Sequence, residues 1–574
     1  MRKLSVRRRS RRALAAAGIG LLCAALFLLA VPAAQAALGF QDLSAKPANL
    51  AAGANSDFRI HIGFSDPGDQ VKDLIVHLPP GQVGNATATP LCTVEELHAD
   101  RCPTNSQVGT TTAKVDAHTA VVVPLTVNGS IYNLVPRAGE PARFGIVLRP
   151  AAGLAPKIVQ QSAVTLRPDD FGLDTTINDF PREANGLKTD IKSLDITLFG
   201  TANGNGFSRN PTSCMARTVG VEATSYSNHH ASASAPAYTP SNCEALPFSP
   251  VLRVEVGGAG MTRAGSNTPL TTVVEQADGE AGLENAKVLL PTEIGANPAT
   301  TLNQCPLSQF RASASECPAD SIVGRATATS PFLASAQTGS VVVVEPPAGD
   351  FLAKLGVDLH GQFPLQIVGS FIAETNGLGN AFTGLPDIPI SRLELRFHGG
   401  REALVSTGLD LCNSPAPVFH ADFAGYNEKR KSTDPAATVE GCDDGGKPKA
   451  SVKLRRTRSK HPRMRFKVRA GPAPVAKTKL RLPKPLRFAK GKAWRKGVSA
   501  RADSGRLPTS AIQHSKRRLN ATAPAEGTDV LVVKLRRHAL RRAKPLANRT
   551  LRLRASVRDI DRRKTSRTIK VHVR

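Results

Sequence analysis

Aromatic residues are scarce in this chain: of 574 residues one is Trp (Trp494), four are Tyr and 21 are Phe. Sugar-binding modules stack rings on Trp and Tyr, and single-stranded nucleic-acid grooves stack bases on the same side chains. A recognition platform of either kind is therefore disfavoured. Beyond residue 31 no stretch approaches the roughly 18 apolar residues that a membrane-spanning helix needs. Acids are sparse at one end, where residues 445–574 hold only Asp503, Glu526, Asp529, Asp559 and Asp561 against 41 Lys and Arg. Catalytic signatures are missing too: no Gly-x-Ser-x-Gly elbow, no His-Glu-x-x-His and no Gly-x-x-x-x-Gly-Lys-Ser/Thr loop. Apart from Cys23 near the N-terminus, the remaining eight of the nine cysteines are pairable rather than a free thiol beside a histidine, so nucleophilic chemistry has no obvious carrier. No cofactor, metal or small-molecule substrate is indicated, and the reading is non-enzymatic.

The N-terminus sets the compartment. Arg2, Lys3, Arg7, Arg8, Arg9, Arg11 and Arg12 precede an apolar run from Ala13 to Val31 and a small-residue site at Ala34-Gln35-Ala36. This is the grammar of a signal peptide over residues 1–36, with an uncleaved membrane anchor as the alternative. Ser10-Arg11-Arg12 loosely matches a twin-arginine signal, but the Leu- and Phe-rich run favours the general export route. The chain is expected outside the cell, secreted or wall-associated.

The mature chain contains one unit twice. Val76-His-Leu78-Pro79 matches Val288-Leu-Leu290-Pro291, and Cys102-Pro-Thr-Asn-Ser-Gln-Val-Gly109 matches Cys317-Pro-Ala-Asp-Ser-Ile-Val-Gly324. Ala142–Leu148 matches Ala353–Leu359, and Ile191–Gly200 matches Ile390–Gly399 in the same order. Without the leader's Cys23, eight cysteines remain, an even number that reads as disulfides in an exported protein. The duplication reduces the possible pairings to four local ones: Cys92–Cys102, Cys214–Cys243, Cys305–Cys317 and Cys412–Cys442. The short Cys spacing of a zinc site is absent.

Strand grammar pervades both copies. Phe58-Arg-Ile60-His-Ile62 and Leu194-Asp-Ile196-Thr-Leu198 alternate apolar and polar residues, and the connections are rich in the chain's 42 Pro and 47 Gly. Val94–Ala99 and its match Leu307–Ala312 each read as one helical turn in a disulfide-closed cap over one end of a sheet. The last segment alternates as well, in Arg463-Met-Arg-Phe-Lys-Val-Arg469 and Thr568-Ile-Lys-Val-His-Val-Arg574, with cations on the polar face. A disordered basic tail lacks such alternation. Leu482-Pro-Lys-Pro-Leu-Arg-Phe488 resembles the strand-then-turn opening of an immunoglobulin-like domain. The expected fold is all-β: antiparallel β-sandwich modules over 37–258 and 259–447, then a small basic immunoglobulin-like β-sandwich over 448–574.

Charge divides the same way, since residues 37–444 hold 27 basic and 41 acidic residues against the basic last segment. Arg455, Arg456, Arg463, Arg465, Lys467, Arg552, Arg554, Arg562 and Arg563 are the candidate contacts to an anionic surface, a wall polymer or a membrane. Nucleic acid is disfavoured for an exported chain without stacking residues or a base-reading motif. The basic tail and acidic body are also complementary enough for self-association. Asp66, Asp69, Asp278 and Glu280 are weak calcium candidates, because both copies place acids in the turn after the first strand; such a turn forms without metal. His229-His230 lacks a counterpart after Tyr426, which matches Tyr226, and reads as a variable loop. Asp169-Asp170 and Asp443-Asp444 read as turn acids, since adjacent residues on a strand face opposite ways.

Leu78-Pro-Pro-Gly81 with Cys92, Cys102-Pro103 and Ser106-Gln-Val-Gly109, followed by an arginine-rich sandwich, resembles uncharacterised secreted β-rich proteins of high-GC bacteria. The resemblance implies architecture and location, and no activity. The expected function is that of a surface protein held to anionic polymers by its basic domain. A secreted hydrolase or ligand-binding protein, with its site at the junction of the two modules, is the alternative.

Overall fold

Phe58–Phe64 shows how the alternating pattern becomes a sheet: Phe58, Ile60 and Ile62 are buried while Arg59 is exposed. Repeated along the chain, that pattern makes the protein all-β. The computed structural model describes residues 38–574 except 66–68, 151–155, 185, 376, 443–447, 472–473, 504, 525–526, 537, 547, 561, 563 and 574. The leader, the anchor alternative, Asp66, Asp443-Asp444 and Arg563 lie outside the described residues. Among them the longest helix is Gly491–Gly497, and no helix is long and apolar enough to cross a membrane.

The first copy is one antiparallel sheet with strands in the order Phe40–Pro47, Phe58–Phe64, Leu187–Leu198, Gln107–His118, Val122–Leu134, Ala142–Arg149, Ile158–Leu166, Leu173–Ile177, Val71–Leu78, Gly220–Ser225 and His230–Ser234. Its two end strands approach each other, so the sheet curls around a single interior core. The second copy has the same order, from Val251–Val256 through Leu270–Glu275, Arg392–Phe397, Ile322–Thr329, Gln337–Val344, Lys354–His360, Leu365–Glu374, Gly377–Phe382, Leu283–Leu289 and His420–Gly425 to Arg430–Thr433. Register is shared too: Gly109 sits opposite Leu198 and Gly324 opposite Phe397, each after a bulge. A Cβ on either glycine would meet a backbone carbonyl at 2.4 or 2.6 Å, which explains the repeated Val-Gly.

One boundary needs correction. Val251–Val256, assigned to the first copy by a division at residue 258, pairs with Leu270–Glu275 in the second sheet. Its alternation buries Leu252, Val254 and Val256 in the second core, the part that Phe40–Pro47 plays in the first.

All four local disulfides are formed. The two short ones close caps carrying the helices Val94–His98 and Leu307–Ala312, but each cap packs on the outer face of the sheet rather than over its end. There Leu97 and Phe310 press into hollows at Gly145 and Gly356, where an added Cβ would meet the Leu97 methyls at 2.7 Å and the Phe310 ring at 2.6 Å. Core inside and cap outside bury five consecutive residues of Ala142–Arg149 and of Lys354–His360, which hides the alternation of these strands. Burying each cap side chain contributes about 2 kcal/mol.

The last segment is a sandwich of two five-stranded sheets around Phe466, Leu480, Leu531 and Leu553. It opens with Lys449–Arg455. Leu486–Phe488 instead lies mid-domain, pairing with Leu540–Arg542, because Pro483 and Pro485 restrict that stretch to a short strand.

Candidate functional site

Three places concentrate unusual chemistry: the basic sandwich, the joint between the two copies, and an uncovered cavity in the second copy.

In the sandwich, strand alternation sends cations outward from both sheets. On one sheet Arg518, Arg481 and Arg554 stand directly opposite one another on adjacent strands, as do Lys477, Arg558 and Lys564. On the other sheet Lys453, Arg465 and Lys534 form a similar row, with Arg455 opposite Arg463. The candidate contacts thus divide: Arg455, Arg463, Arg465 and Lys467 lie on one outer face, and Arg552 and Arg554 on the other. Arg456 and Arg562 are exposed turn residues with positive φ. The single basic face read from the sequence is two faces. Like charges directly opposite across strands destabilise a sheet, so these rows are costly until an anion lies over them.

Two of the few acids of this domain, Asp503 and Asp529, are spent at its root. Asp503 accepts from the Thr528 hydroxyl at 2.7 Å, and Asp529 pairs with Arg263 of the second copy at 3.0 Å. The contact between body and tail therefore runs with the opposite polarity to their net charges.

At the joint between copies, Asp387 of the second copy is buried at 4% exposure. Thr212 of the first copy donates to it through its backbone N–H at 2.8 Å and its hydroxyl at 2.5 Å. The Gly282 N–H in turn donates to the Thr212 hydroxyl at 2.9 Å. Burial pushes the Asp387 carboxyl above the usual range, against the Thr212 hydrogen bonds and the charges of Arg217 and Arg209. Arg209, itself lowered by burial, donates to the Gly53 and Glu280 carbonyls. The cavity here is about 70 Å³, well under the roughly 300 Å³ at which small-molecule pockets begin. The joint is built like a lock between modules, and the alternative of a ligand site at the junction finds no room in it.

The calcium candidates fall apart spatially. Asp69 is buried and faces His229 Nδ1 at 2.6 Å; burial would raise its carboxyl, but hydrogen bonds from Ser225, His229 and Ser227 hold it below the usual range. With Val76 and Val288 equivalent, Ala281 is the residue matching Asp69, while Asp278 and Glu280 line the small cavity at the joint. Among the described residues no three His, Cys, Asp or Glu converge as a metal site. His229 is therefore a partner of Asp69, a role its loop position concealed. The matched tyrosines are tethers: Tyr226 donates to the Phe180 carbonyl at 2.7 Å and Tyr426 to the Leu385 carbonyl at 2.5 Å.

Sequence reading missed the cavities. At one end of the first copy, an apolar opening lined by Phe58, Phe144, Val164 and Leu198 is entered by Phe332, Leu333 and Phe363 of the second copy, leaving about 100 Å³. The equivalent residues of the second copy, Leu270, Leu355, Phe371 and Phe397, line a cavity of about 400 Å³ that no hairpin enters among the described residues. At its mouth Phe351 is 99% exposed and Leu302 78%.

No family model and no curated protein matches the chain. Similar solved structures include the MSCRAMM ACE of Enterococcus faecalis, described as binding its ligands by the collagen hug model. It is 10% identical with a TM-score of 0.17, over 56% of this chain and 94% of that one. A putative membrane-anchored protein from Corynebacterium diphtheriae is 8% identical, with a TM-score of 0.15, over 81% and 97% of the two chains. A 1.5-MDa bacterial ice-binding adhesin is 9% identical, with a TM-score of 0.13, over 94% and 98%. TM-scores this low carry no argument, so any function must rest on the residues themselves.

Proposed function

We propose that this chain is a non-enzymatic, extracellular surface protein, and that its C-terminal sandwich holds the duplicated body against anionic polymers or anionic lipid head groups. The observation that carries the reading is the pair of outer sheet faces bearing rows such as Arg518–Arg481–Arg554 and Lys453–Arg465–Lys534. Among the described residues no ion pair neutralises these rows, and Asp503 and Asp529 are occupied at the domain's root. A phosphate-bearing chain laid along either face would relieve the cross-strand repulsion and gain several charge-assisted contacts at once. Four disulfides support an oxidising location, and the body's acidic excess keeps it off the surface that the tail engages.

Two faces also make the domain bivalent, able to touch two polymer strands. The test is co-sedimentation of the full chain with isolated cell walls and with anionic vesicles. Replacing Arg481, Arg554 and Lys477 by Ser on one face should weaken binding, and adding Lys453→Ser and Arg465→Ser on the other should weaken it further. Undiminished binding by the variant with all five replacements would refute the proposal.

A further inference from the structure

The two copies present one cavity in two states. Pairing along the sheets makes Thr175 and Asn380 equivalent, as it does Leu173 and Leu378, Val164 and Phe371, and Ala142 and Ala353. All eight line the cavities at the same end of their respective copies. In the first copy that end is a filled socket. The plug is the hairpin tip of the second copy, with Phe332 and Leu333, and Phe363 beside it. The neighbouring turn is tied down as well: the Gly139 N–H donates to the Gln362 carbonyl at 3.2 Å and the Gln362 amide to the Pro141 carbonyl. In the second copy the sandwich holds the loop before Leu270 through Asp529 and Arg263, but among the described residues no hairpin enters the socket, which stands open at about 400 Å³.

We propose that the open socket of the second copy receives the hairpin tip of the first copy of another molecule, so that chains associate head to tail through the joint already used within each chain. The plug is free. The hairpin joining Gln107–His118 to Val122–Leu134 is the counterpart of the one carrying Phe332 and Leu333, and its tip exposes Val121 at 68% and Val122 at 55%.

Two further observations fit a protein occupant. Asn380, on the inner face with Leu378 and Phe382, has both amide atoms buried with no hydrogen-bond partner. A native amide left unpaired needs an explanation, and the backbone of an inserted hairpin supplies both donor and acceptor. Charge also matches. Within the chain, Asp387, two residues beyond the carbonyl that holds Tyr426, meets Thr212, two residues before Cys214. The corresponding residues are Arg182, two beyond the carbonyl that holds Tyr226, which donates to Gln70 and lies over the Tyr226 ring, and Asp410, two before Cys412, which accepts from the Cys412 N–H and the Asn413 amide; among the described residues neither is in an ion pair. Between molecules the joint would set an arginine against an aspartate. An interface of two different patches is not self-complementary, so it propagates past the dimer into a ring or an open chain of molecules.

The experiment is sedimentation equilibrium on the full chain across a micromolar concentration series, at high salt so that tail-driven contacts are screened. A plug variant carries Val121→Asp and Val122→Asp; a socket variant carries Leu378→Asp at the mouth. All three positions are exposed, and unchanged melting temperatures would confirm intact folds. The wild type should rise in mass past the dimer as concentration increases, and each variant alone should associate at least tenfold more weakly. A one-to-one mixture of the variants should restore a dimer and stop there, because one good plug and one good socket remain. A wild type monomeric at every concentration, a dimer retained by both variants, or a monomer whose native mass includes a bound lipid chain would each overturn the proposal.

Discussion

The two copies of the repeat differ most at one loop, and the difference shows what a neighbour does to a fold. In the first copy, Glu140 lies buried against Arg143, with the second copy's Gln362 hydrogen-bonded on either side of it at Gly139 and Pro141. The matching residues of the second copy are Phe351, which stands out in solvent, and Lys354, which pairs with the half-exposed Asp350 at 2.7 Å. Strand order, register and cap are the same, so the sheet does not dictate this contrast. Coverage does: where the other copy's hairpin and Gln362 pack against the mouth, a buried ion pair is sustained, and where no hairpin enters, an apolar mouth stays open.

The caps offer the largest test. Phe310→Ala should cost about 4 kcal/mol and Leu97→Ala about 3 kcal/mol by urea unfolding, the larger ring leaving the larger void over Gly356. Equal small losses would mean that the caps do not pack as hollow and plug.

Next is the covered loop. Glu140→Gln leaves the buried Arg143 unpaired and should cost about 3 kcal/mol, whereas Asp350→Asn on the open side should cost under about 1 kcal/mol. Burial opposes ionisation of Glu140, yet Arg143 and the Arg137 N–H hold its carboxyl below the usual range. Its contribution is therefore present above the unfolded-state pKa of about 4.5 and is lost as pH falls through the lower folded value. Thermal melts of wild type and Glu140→Gln should converge as pH falls through the lowered folded value, and a gap that stays constant on acidification would contradict the assignment.

A smaller effect is expected at the joint, where Thr212→Val removes a hydroxyl donor from buried Asp387 and should cost about 2 kcal/mol at neutral pH. The Asp387 pKa is raised in the fold. Its protonated form is thus the better accommodated one, and stability is lost as pH rises through the folded value. The deficit of Thr212→Val should therefore shrink in acid. The smallest effect is on the basic face: Arg481→Ser should stabilise the protein by a few tenths of a kcal/mol at low salt, by relieving its cross-strand neighbours Arg518 and Arg554. The gain should vanish at high salt.

Much of the architecture is legible in the residues because sheet physics is local and periodic. Alternation marks Phe58–Phe64 and Arg463–Arg469 as strands, and the duplication pairs the cysteines without a structure. Features that depend on distant coverage are not legible. Val251–Val256 alternates equally well for either module, and only pairing with Leu270–Glu275 assigns it. Asp69 and His229 are 160 positions apart and meet only when their loops fold together. Alternation in the tail revealed one basic face and concealed that the strands belong to two sheets. The open socket has no sequence signal of its own, since its lining reads like any core and only the missing plug makes it a cavity.

The most direct measurement of the central claim is the salt dependence of the full chain's affinity for an anionic surface. If rows of unneutralised cations on both sandwich faces make the contact, the logarithm of affinity should fall steeply and linearly with the logarithm of salt, losing at least about 10³-fold between 50 and 200 mM. Stripping one face should reduce that slope. A shallow slope, or one unchanged after both faces are stripped, would contradict the account.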